Sequence, residues 1–237
     1  LVEEVDQHNG QFQISTTKDQ LKIAVIERHK NRGNIATGIV KGLRLQHGAI
    51  ATTIAHDSHN LIVVGTNEAD MVYAIGEIKK MQGGIVVVND CESVASLKLE
   101  ICGLITSRQA IEVIGDLEKL QQAIAKQAPA CSFNPLLALS FMSLVVIPQL
   151  KICDSGLFDF STFSFIDVPV KGCKYYRWHL HAESSLTALM ISATRRFTFS
   201  VTLTTPSGAK LSQCSPAATV TLASSVLAIC SDTSLTS

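Results

Sequence analysis

The chain has 237 residues, enough for one large domain or two small ones, with 20 Lys+Arg against 20 Asp+Glu and a formal net charge of zero. That balance argues against a nucleic-acid surface or a polybasic membrane anchor, so neither nucleic acid nor membrane is expected as a partner. Hydrophobic residues make up 46% and charged residues 17%, too apolar for a chain disordered throughout and slightly apolar for a free-standing soluble domain.

Residues 1–20 form a polar lead-in without the apolar core of a signal peptide. Leu21 to Glu27 is a compact β-branched run that reads as a buried strand, and Ala36–Leu43 and Ala49–Ala55 are two more. Leu61 to Val64, closed by Gly65, is another. A helix then starts at the N-cap Asn67, with Glu68 and Asp70 in its first turn and Met71, Ile75, Ile78 and Met81 at helical spacing. Gly83-Gly84 are expected to end it. Ile85–Val88 and Val94–Leu99 read as strands around an Asn89-Asp90 turn. A second helix is expected from an N-cap at Ser107, with Ile111, Ile114, Leu117, Leu120 and Ile124 on one face and Pro129 as its stop. Leu136 to Ile152 is apolar, broken by Pro148, and reads as strand or mixed structure. The expected class is α+β (mixed α/β): a mixed sheet with helices packed on it.

From about residue 171 the composition changes. Ser and Thr rise to about a third, acids shrink to Glu183 and Asp232, and three of the seven cysteines appear. This tail, 171–237, reads as a separate piece of polypeptide, disordered or derived from a shifted frame. The odd cysteine count with no CxxC pair fits reduced thiols and a cytoplasmic location.

The densest polar group in an apolar setting is His56-Asp57-Ser58-His59-Asn60, a loop between two strands. A histidine there is placed to move a proton near neutral pH, with Asp57 orienting it or raising its pKa. The alternative is a turn in which Asp57 and Ser58 satisfy backbone N–H groups. A His-x-x-His metal site lacks third and fourth ligands nearby. Glu27-Arg28-His29 follows the first strand, as a site contributor or as a strand-end ion pair. His179-Leu-His181 has the spacing of a metal motif, with no barrel strands after it to complete the ligand set.

Four blocks carry a resemblance: LKIAVIERHKNRGNIATGIVKGL, GAIATTIAHDSHNLIVVGTNEADM, GGIVVVND and LSFMSLVVIPQLKICDSGLFD. In order and spacing they resemble the C-terminal domain of bacterial adenine deaminases, over residues near 12 through about 168, with the AHDSHN–IVVGTN block the most specific. The family's enzymes are amidohydrolases that convert adenine and water to hypoxanthine and ammonia on a (β/α)8 barrel holding manganese or iron. The resemblance thus implies a domain spanning 21–170 whose catalytic barrel and metal ligands are absent from this chain, which binds no cofactor alone. It also implies that Glu27, His29 and His56 to Asn60 are candidates for lining the purine pocket beside that barrel. Lys98 to Cys102 departs from the family, where an LPxAG-like stretch is usual. Three functions follow as alternatives: the C-terminal part of an adenine deaminase in purine salvage, possible as a homo-oligomer and inactive alone; a non-catalytic purine-binding or interaction module; or a non-functional gene fragment.

Overall fold

The computed structural model describes residues 5–8, 11–30 and 32–166. The Ser/Thr-rich tail, with His179 and His181, lies outside the described residues.

A short hairpin, β1 (Gln7–His8) and β2 (Gln11–Phe12), precedes the main sheet. That sheet is built from β3 (Leu21–Ile26), β4 (Ile35–Val40), β5 (Ala49–Thr52), β6 (Leu61–Gly65), β7 (Gly84–Asn89) and β8 (Glu92–Lys98). Its spatial order is β4-β3-β6-β5-β7-β8, and every pairing is antiparallel. Helix α1 (Glu68–Met81) follows β6, α2 (Ala110–Gln127) follows β8, and α3 (Pro135–Phe141) leads to a three-stranded sheet of β9 (Leu150–Cys153), β10 (Gly156–Asp159) and β11 (Ser164–Ile166). The α+β class expected from the sequence holds: helices pack on a sheet, and no barrel closes among the described residues.

The central strands read as unbroken apolar runs because both faces of the sheet are covered. Alternate residues point to opposite sides. Leu61 and Val63 join Ala24, Ile26, Val86 and Val88 under the α1 residues Met71, Ala74, Ile75 and Ile78. Ile62 and Val64 join Ile23, Val25, Ile85 and Val87 under Leu117, Leu120 and Ile124 of α2, with Leu139 of α3 and Ile152 of β9. A one-residue slip of β6 would exchange its two core faces, so the register is tightly specified.

Local signals set the helix ends, with some differences from the sequence reading. Asn67 caps α1 as expected, its side chain accepting from the Asp70 N–H at 2.8 Å. The left-handed residue that ends α1 is Gln82, φ 65°, rather than a glycine. Gly84 opens β7 because a Cβ there would lie 2.0 Å from the Leu97 carbonyl oxygen, at φ 137°. Helix α2 begins later than expected. Gln109 stands at its N-cap without a side-chain bond, and the Ser107 N–H and hydroxyl bind Glu100 Oε1 at 2.9 and 2.7 Å instead. Of its five-residue face, Leu117, Leu120 and Ile124 are buried, whereas Ile111 is 71% exposed, because the first two turns run clear of the packed layer. The segment 136–152 opens as helix. Asn134 accepts from the Leu136 and Leu137 N–H groups and Pro135 occupies the first turn, an Asn-Pro start that outweighs the apolar run.

Candidate functional site

The antiparallel order brings the ends of β3, β5 and β8 and the starts of β4, β6 and β7 to one end of the sheet. The loops that carry the candidate residues therefore meet there. Residues 27–34 follow β3, residues 53–60 join β5 to β6, and residues 99–109 join β8 to α2.

Glu27 is buried immediately after β3. Its Oε1 accepts from the His29 N–H at 2.6 Å and from that of Lys30, and Oε2 from Arg32 at 3.0 Å. Burial alone would raise its pKa. The three backbone donors outweigh that and hold it below the usual carboxylate range. Glu27 thus ties down the backbone of the segment that follows it. His29 faces the neighbouring loop: its Nε2 lies 2.8 Å from the Ser58 carbonyl oxygen and 3.2 Å from that of His59. Carbonyls only accept, so Nε2 carries the hydrogen.

Within the HDSHN loop, His56 is wedged against α3. Its N–H donates to the Ser140 carbonyl at 2.8 Å, its carbonyl accepts from the Ser143 hydroxyl at 3.0 Å, and its ring packs tilted at 44° against Phe141, centroids 4.8 Å apart. Asp57 is exposed. The Ser58 hydroxyl accepts from the Asn60 N–H at 3.3 Å, the turn-forming role open to it from the sequence. His59 has φ 49°, and its N–H donates to the Ala55 carbonyl at 2.6 Å. Its Nδ1 is buried with no hydrogen-bond partner. Burial first, then the charges of His56, Arg28 and His29, push its pKa down to about 4, and the raising effect of Asp57 is smaller. His59 is therefore neutral at pH 7. It offers a hydrogen-bonding imidazole, not the neutral-pH proton shuttle that its sequence context suggested. Asn60 is 3% exposed, and its Nδ2 donates to Asp154 Oδ1 at 3.2 Å. Asn34 Nδ2 donates to the other Asp154 oxygen at 3.1 Å, so one carboxylate at the β9–β10 turn ties two loops together.

Three further contributors complete the site: Arg28, which the sequence offers within the Glu27-Arg28-His29 segment, and Thr53 and Asp154, which carry no distinct sequence signal. Arg28, 1% exposed, donates from Nε to the His59 carbonyl and from Nη2 to the Cys102 carbonyl, both at 2.6 Å. Thr53 Oγ1 donates to the Gly103 carbonyl at 2.6 Å and accepts from the Gly84 N–H at 2.9 Å. Asp154 is far from the motif in sequence. The sequence places Arg28 beside a strand end, but its burial is visible only in the fold, because burial of a charge depends on partners that the fold supplies. Among the described residues no three His, Cys, Asp or Glu side chains gather to hold a metal ion.

Architecture and site together define an α+β domain sandwiched by helices, with its polar loops collected at one end of the sheet. Residues 1–164 match the family model described as the adenine deaminase C-terminal domain, and the chain belongs to that family. The relatives include an adenine deaminase of Oceanobacillus iheyensis, 47% identical over 171 residues, which cover 72% of this chain and 29% of that protein. Adenine deaminase 2 of Carboxydothermus hydrogenoformans is 46% identical over 165 residues, 70% of this chain and 29% of the relative. An adenine deaminase of Listeria welshimeri is 48% identical over 167 residues, again 29% of its length. The chain thus spans under a third of the curated relatives it matches. No helix of the described residues is long and apolar enough to cross a membrane.

Proposed function

We propose that this chain is the C-terminal part of an enzyme that hydrolyses adenine to hypoxanthine and ammonia, and that its loop-bearing sheet end covers the purine pocket of the catalytic part. The observation that supports this most directly is convergence. The ERH and HDSHN segments, the most polar pieces of the family pattern, are separate in sequence, yet His29 Nε2 lies 2.8 Å from the Ser58 carbonyl. A rigid scaffold presenting polar loops is where binding groups concentrate. His29, Ser58 and the His56 ring against Phe141 form the part of this surface suited to a planar, hydrogen-bonding base.

On this reading the metal, manganese or iron, and its ligands belong to the catalytic barrel, and the metal's contribution is to activate water for attack on the purine. The residues here supply hydrogen bonds, shape and exclusion of water. The setting would be cytoplasmic purine salvage. The isolated chain is expected to release no ammonia from adenine, with or without added manganese. Joined to the N-terminal portion of the Oceanobacillus relative, it should restore turnover above that of the N-terminal portion alone. Metal-dependent turnover by the isolated chain, or a full-strength N-terminal portion lacking it, would overturn the reading.

A further inference from the structure

We propose that Arg28 is a positioning residue whose guanidinium locks the His56–Asn60 loop onto the β8–α2 connection and so sets the geometry of the candidate pocket. This rests on the reading that the loop lines that pocket, but the locking itself is testable without it. The side chain is 1% exposed, the largest of the fully buried side chains. A charge so hidden persists where its hydrogen bonds are well directed, and the planar guanidinium fork serves two acceptors at once where an ammonium serves as a point charge. Here the fork spans two loops: Nε reaches the His59 carbonyl and Nη2 the Cys102 carbonyl, both at 2.6 Å.

The neighbours are shaped for this. Gly103, φ 72°, packs on the guanidinium, and a Cβ there would lie 2.6 Å from Nη2 and 2.9 Å from Cζ. The other end of the loop is tied to the same connection, since Thr53 Oγ1 donates to the Gly103 carbonyl at 2.6 Å. The loop is thus anchored at both ends to residues 102–103, by Thr53 where it leaves β5 and by Arg28 where it enters β6. Glu27 organises the turn that follows Arg28 through its bonds to the N–H groups of His29 and Arg32. The His59 carbonyl also faces His29 Nε2 at 3.2 Å, so Arg28 fixes the pair of segments that the proposed pocket needs together.

The first test is residue-resolved hydrogen exchange on the full chain, comparing wild type with Arg28→Lys and Arg28→Met. The expected result is exchange at least roughly ten-fold faster at the His59 and Asn60 amides, with Val63 and Val86 in the core unchanged. Equal acceleration in loop and core, or no change in the loop, would overturn the proposal. If Arg28→Met does not fold, Arg28→Lys, which keeps the charge and the buried stem, decides by the same criterion. The second test is kinetic, in the enzyme joined to its catalytic part: Arg28→Lys should lower kcat/KM for adenine by roughly ten-fold to a hundred-fold at unchanged metal content. A loosened loop with normal kinetics in Arg28→Lys would reject its functional role. Normal kinetics in His56→Ala and His59→Ala as well would trace that failure to the pocket reading rather than to the lock.

Discussion

His59 concentrates the physical chemistry of the sheet end. Its ring is held neutral by burial and by the cations around it, with a pKa near 4 in the folded chain. The unfolded ring titrates at about 6.5, so between these values the unfolded state binds more protons and stability falls as pH drops. His29, also lowered, by burial and then by the Arg28 charge, acts in the same direction. Chemical denaturation should therefore show stability falling from pH 7 toward pH 4.5, with His59 contributing on the order of 1 kcal/mol once solvent screening of a half-buried ring is allowed for. His59→Gln should flatten that slope, and an unchanged slope would show that the ring titrates normally. The polar residues of the HDSHN cluster were plain in the sequence. Their protonation was not, because the largest cause of the lowering is burial, and of the charges that add to it, His56 lies in the same loop but Arg28 and His29 come from another segment of the chain.

At the level of elements, the loop's place was legible and its anchoring was not. Two apolar runs flanking HDSHN predict strands with a polar connection, and β5 and β6 are hydrogen-bonded neighbours joined by residues 53–60. Thr53, which looks in sequence like one more β-branched strand residue, carries the connection to β7 and to the β8–α2 segment through Gly84 and Gly103. Thr53→Val keeps the shape and removes the hydroxyl. It should cost about 2 kcal/mol by stranding the buried Gly84 N–H and Gly103 carbonyl. Urea unfolding measures this, and a loss below about 0.5 kcal/mol would show that those groups find other partners. Helix α3 escaped the periodicity argument for a related reason. Seven residues are too few for a helical period to stand out from an apolar run, and only the Asn134-Pro135 start marks it.

At the scale of the whole molecule, the fold gathers the polar loops of the described residues on one surface. Both faces of the sheet are closed by helices, so the end where β3, β5 and β8 terminate is the surface on which ERH and HDSHN meet. The chain spans 29% of the relatives it matches, and this end is the part proposed to meet the remainder. The sequence pattern made the strands and the polar connection between β5 and β6 foreseeable, whereas the crossing of α1 between β6 and β7 with β5 inserted between them required the structure. The most direct measurement is kcat/KM for adenine, with metal analysis, in the joined enzyme carrying His56→Ala or His59→Ala. At least one variant should fall by roughly ten-fold to a thousand-fold, about 1.4 to 4 kcal/mol of transition-state stabilisation, at unchanged metal content. Normal kcat/KM in both variants would contradict the account.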